Sequence, residues 1–148
     1  MAHIHDVYDN DVHFVIDPIT RMIKNNSRKA VIVQYDHNSE RFTFEVPRYI
    51  DGHDMSSCNE VEVHFTNQGQ NGKANGVYTV TDLAVSPNDE NIVTCSWLIS
   101  EEATQYAGPL RFLVRYSCVT DEDVDYIWST APHNGITVTS GIYNSKYV

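Results

Sequence analysis

The sequence predicts an all-β domain: an antiparallel two-sheet β-sandwich, immunoglobulin-like or jelly-roll-like, with one short helix. Three observations predict it. Apolar residues alternate with polar ones along eight or more short runs, the period of strands that bury one face. Clusters of Asn, Asp, Ser and Gly separate the runs. A chain of 148 residues, 41% of them hydrophobic, suffices for one domain that buries about 70% of the surface its unfolded form exposes. Residues 1–148 are therefore read as one sandwich domain with a polar N-terminal arm over about residues 1–11.

The runs follow in order. Val12, Phe14 and Ile16 are spaced by two, then Val31, Val33 and Tyr35, then Phe42, Phe44 and Val46, then Val61, Val63 and Phe65. Beyond them lie Val77 to Val85, the set Val93, Cys95, Trp97 and Ile99, the set Leu110 to Cys118, and Val124, Tyr126 and Trp128. Register can be inferred because a slip of one residue turns every side chain to the other face. Pairing Tyr35 with Glu40 across the Asp36–Ser39 turn sets Val33 opposite Phe42 and Val31 opposite Phe44. Pairing Cys118 with Val124 sets Tyr116 against Tyr126 and Val114 against Trp128, and leaves Asp125 diagonal to Arg115. Ser100 to Pro109 offers an N-cap serine, two glutamates in a first turn and a Gly-Pro stop, which predicts the short helix. Gln68 to Gly76, rich in Gly, Asn and Gln, is expected to be a mobile loop.

Composition narrows the function. A net charge of −10 with ten scattered Lys and Arg disfavours nucleic acid. No run approaches the roughly 18 apolar residues of a membrane helix, and the charged first thirty residues hold no leader-like apolar segment, so neither a membrane nor a leader is expected. Three cysteines without CxxC or Cys/His zinc spacing are read as reduced thiols, with Cys95 and Cys118 in phase with the core.

Several groups of residues bear on chemistry. His3 and His5 share one side of an extended strand, yet two imidazoles fix neither the number nor the geometry of a zinc site, so no metal and no cofactor is expected. Asp9 to Asp11 and Asp121 to Asp123 look like fragments of calcium loops but lack the glycine and distal glutamate, and are read as turns. Glu60 and Glu62 share an outward face about 7 Å apart, a spacing glycosidases use, but nothing in the sequence would separate their acidities. Motifs for a nucleophilic serine, a phosphate loop, a dinucleotide fold and a zinc protease are missing, so no enzyme is expected. Trp97 and Trp128 fall in phase with the core, whereas Tyr49, Tyr78, Arg111 and Arg115 fall outside the apolar sets and are the candidates for an interface or ligand. Exposed tyrosines leave open a module that recognises cell-wall sugar.

Four segments resemble a known family: His3 to Asp9, His13 to Arg21, Gln34 to Phe42, and Cys95 to Ser100. Together they look like the N-terminal module of tail proteins from phages and prophages of Gram-positive bacteria, of the upper-baseplate kind. The resemblance implies a β-sandwich that docks onto a tail baseplate through protein–protein contacts, made in the bacterial cytoplasm and carried in the virion. It also implies other tail proteins and further copies of itself as partners, whereas a host surface glycan is the partner that the exposed tyrosines would add. Longer members pass into a coiled-coil stretch, whereas this sequence has no heptads. An adaptor to a fibre and a short structural subunit of the tail therefore both stay open.

Overall fold

The computed structural model describes residues 11–119 and 124–141. They form thirteen strands and two single turns of 3-10 helix, arranged as two packed sheets and a small hairpin. In order the strands are β1 (Val12–Ile16), β2 (Ile23–Asn25), β3 (Ile32–Val33), β4 (Arg41–Pro47), β5 (Tyr49–Ile50), β6 (His53–Asp54) and β7 (Glu60–Gln68). They continue with β8 (Lys73–Thr79), β9 (Ala84–Ser86), β10 (Asp89–Leu98), β11 (Gly108–Val119), β12 (Val124–Ser129) and β13 (His133–Thr139). The first sheet runs β2-β1-β4-β10-β9, and the second β3-β13-β11-β7-β8 with β12 also paired to β11.

Most of the alternating apolar sets meet between the sheets, as the all-β sandwich requires. Phe14, Phe42, Phe44 and Trp97 from the first sheet are at most 1% exposed, and face Phe65, Phe112 and Tyr116 from the second. Phe112 is the hub of this contact. Its ring centroid lies 5.8 Å from Phe14, 5.7 Å from Phe42 and Phe44, and 5.3 Å from Trp97, in tilted or edge-on geometry. Such aromatic pairs add roughly 0.5–1.5 kcal/mol each beyond the area they bury.

The structure corrects four expectations. Val31 and Val33 do not form a hairpin with β4. Ile32 turns inward while Val31 is exposed, and β3 crosses to the second sheet to pair in parallel with β13, Ile32 opposite Val138. Asp36 accepts from the Val33 N–H, and positive φ at Tyr35 and Asn38 carries the chain back over the Ile99–Thr104 segment. Because the chain leaves the first sheet and returns, β4 runs parallel to β1, an exception to the antiparallel pattern.

The second hairpin does form, but two residues out of the expected register. Tyr116 faces Trp128 and Cys118 faces Tyr126, with a bulge before Val119 pairs with Val124. A shift of two keeps every side chain on its face, so alternation alone does not choose between the registers. The expected helix is one 3-10 turn, Glu101–Ala103, whose Ser100 makes no side-chain cap. Gly108 and Pro109 begin β11 instead of ending a helix. Lastly, Gln68 to Gly76 is mostly strand. Gln68 pairs with Lys73 across a tight Gly69–Gly72 turn, and buried Asn67 bonds the backbone of Tyr106 and Pro109.

Candidate functional site

Strands β7, β8 and β11 turn one set of side chains inward and leave the alternate set as an open outer face. On that face Arg111, Leu113 and Arg115 of β11 stand opposite Thr66, His64 and Glu62 of β7, and Val77 of β8 stands beside His64. The His64 Nε2 lies 3.1 Å from a Glu62 carboxylate oxygen. Arg111 Nε donates to the Asn134 side-chain oxygen, and Arg115 Nε donates to the Ser129 hydroxyl at 3.2 Å. Ser129 and Glu62, not Asp125, are therefore the cross-strand neighbours of Arg115. A shallow groove of about 570 Å³ crosses the face, lined by His64, Thr66, Val77, Arg111, Leu113 and Pro132. Cations, a carboxylate and apolar side chains alternate here.

The other sequence candidates lie elsewhere. Tyr78 pairs with Val63 and is half-buried, packed against the core. Tyr49 is exposed on β5, with the Arg48 guanidinium 5.3 Å from its ring centroid. Trp97 and Trp128 are buried. Glu60 is exposed and Glu62 half-exposed on the open sheet face. His3 and His5 lie outside the described residues.

A second group of side chains meets where β5 and β6 approach the end of β11. Asp51 and Gly52, with φ of 51° and 81°, make the two-residue loop between these strands, a conformation that favours Asp-Gly. Asp54 then caps a 3-10 turn over Met55–Ser57, accepting from the Ser56 N–H and hydroxyl and from Arg48. Asn59 clamps the following residues to β11, donating to the Val119 carbonyl and accepting from the Val119 N–H. The result brings His53, Cys58 and Cys118 together. The His53 Nε2 is 3.3 Å from the Cys118 sulfur, and the Cys58 and Cys118 sulfurs are 3.6 Å apart. The Tyr126 ring stacks on the His53 imidazole at 3.8 Å. Burial, with Cys118 beside it, raises the Cys58 thiol pKa above its ordinary value.

Sequence reasoning missed this cluster, since its members come from two distant segments and match no metal-site spacing. The legible signal was Tyr49 to Asp54, an Asp-Gly loop between short strands that presents His53 five residues before Cys58. Cys118 is in strand phase, as read, but half-exposed at the sheet's end rather than enclosed.

No known family model matches the sequence, and no curated protein matches it significantly. Among solved structures the chain is similar to the N-terminal domain of phage TP901-1 ORF48, at 12% identity and a TM-score of 0.49 over 88% of this chain and 97% of that one. That likeness is a coarse one of shape.

Proposed function

We propose that this chain is a structural protein of a phage or phage-derived tail or baseplate, working as an assembly or docking module through protein–protein contact. The observation that carries the reading is the outer face of β7, β8 and β11, where Arg111 and Arg115 frame Leu113 and Val77 beside Glu62 and His64. The segment resemblances described above supply the class of assembly. An open face of mixed charge and apolar surface suits a flat protein partner better than a small ligand, which takes an enclosed and mostly apolar pocket. The buried tryptophans leave sugar stacking to exposed tyrosines such as Tyr49, so glycan recognition is the reading to exclude by experiment.

Sedimentation of the purified chain, alone and mixed with tail and baseplate proteins from the phage or prophage that encodes it, tests the proposal. A stable complex or defined oligomer is expected, weakened at least tenfold in affinity by Arg111→Glu combined with Arg115→Glu. A monomer that enters no assembly, or one that binds host wall glycan without binding tail proteins, overturns it.

A further inference from the structure

We propose that His53, Cys58 and Cys118 bind one divalent cation of the zinc class, which fastens the β5–β6 hairpin to the end of β11. The site is separate from the docking face and does not depend on the function proposed for it.

The geometry points to this chemistry. A tetrahedral zinc ion, with bonds of about 2.3 Å to sulfur and about 2.0–2.1 Å to nitrogen, sets sulfur–sulfur edges near ~3.7 Å and sulfur–nitrogen edges near ~3.5 Å. The structure holds Cys58 and Cys118 sulfurs at 3.6 Å and the His53 nitrogen at 3.3 Å from Cys118. All three donor atoms lie within 4.8 Å of one another. Two edges thus match a tetrahedral site, and the third, His53 to Cys58, lies within 4.8 Å, so an entering ion has only to draw the imidazole and the Cys58 thiol together.

The donors also select the ion. Two thiolates and an imidazole favour zinc and its soft neighbours over magnesium or calcium, which take oxygen. The nearby carboxylate of Asp54 is engaged by Ser56 and Arg48, leaving solvent to fill the fourth position. His53 and Cys118 are both half-exposed, so an ion and water can reach the site from outside. Each cysteine thiol loses its proton to solvent as its sulfur–metal bond forms, and the imidazole binds as the neutral ring.

The surroundings hold the donors in place. Tyr126 stacks on the His53 ring, the Asp51-Gly52 loop sets the direction of β6, and Asn59 fixes Cys58 alongside β11. Ser57 donates to the Asp54 carbonyl and closes the turn between the two ligands His53 and Cys58. Such supporting contacts lower the cost of gathering the ligands.

The test uses the full chain, reduced and stripped of metal. Cobalt titration is expected to give the strong visible and thiolate charge-transfer bands of a tetrahedral sulfur site, saturating at one equivalent and lost when zinc is added. At zinc a hundredfold above its dissociation constant, the folded-to-unfolded ratio should rise about a hundredfold. Cys58→Ser and Cys118→Ser should abolish the bands. His53→Ala should weaken zinc binding at least tenfold, and intrinsic fluorescence and circular dichroism of the metal-free variant check that it still folds. A variant with His3→Ala and His5→Ala should retain both signals. The proposal fails if the reduced chain shows no such bands, or if they survive Cys118→Ser or vanish with the N-terminal pair. It also fails if air oxidation closes a Cys58–Cys118 disulfide while the reduced protein takes no metal.

Discussion

The Asp54 carboxylate accepts hydrogen bonds from the Ser56 hydroxyl, the Arg48 guanidinium and the Ser56 N–H, and these hold its pKa at about 2. A pKa depressed on folding stabilises the native state above the ordinary carboxylate value, and that contribution fades as pH falls toward about 2. Asp54→Asn should therefore lower stability at pH 7 and leave a flatter decline than wild type between about pH 4 and about pH 2. Urea unfolding of both proteins across that window measures the difference; parallel curves would show that the carboxylate is not held this way. Single residues also set what could be read beforehand. Val31, Val33 and Tyr35 alternate as neatly as any run in the chain, yet Ile32 is the residue that turns inward. Where both parities are β-branched, alternation points either way, and tertiary packing decides.

At the scale of elements, the β7–β8 hairpin shows why composition misleads. Gly and Asn are depleted in strands, so Gln68 to Gly76, with three glycines and two asparagines, reads as a loop. Phe65 supplies what the sequence lacks there: its ring lies across Gly76, where an added Cβ would come within 2.3 Å of the ring. Gly76→Ala should displace that ring and with it the stacked Trp97, 5.4 Å away, at a cost of about 1–3 kcal/mol. Chemical denaturation reads the loss; an unchanged midpoint would mean that the ring has room to move. The β11–β12 pair was legible in outline, since its faces were assigned correctly. Its register was not, because the turn closes at Val119 and Val124 rather than Cys118 and Val124 and the bulge before Val119 adds one residue more, a total shift of two that alternation cannot reveal.

For the molecule as a whole, most of the expected apolar sets converge on one core, where Phe112 of the second sheet packs on Phe42 and Trp97 of the first, whereas Val31, Tyr35, Val77 and Val124 stay exposed. Phe112→Ala should cost about 3–5 kcal/mol and lower the unfolding midpoint of both sheets together. Tryptophan fluorescence, reporting buried Trp97 and Trp128, and far-ultraviolet circular dichroism should move in step; separate transitions would mean that the layers do not share one cooperative core. The metal cluster was illegible at this scale because Cys58 and Cys118 stand 60 residues apart, and only the finished sandwich brings them within reach.

The parallel pairing of β3 with β13 carries a consequence for how the chain is made. Ile32 leaves the ribosome more than a hundred residues ahead of its partner Val138. At about 5–20 residues per second, that is a wait of several seconds or more. During it the segment around Ile32 has neither its sheet nor its cover, and closing so long a loop makes this pairing slow in refolding too. β13, the last strand among the described residues, thus completes the second sheet at β3, and a nascent chain paused before β13 would expose a sticky edge to its neighbours.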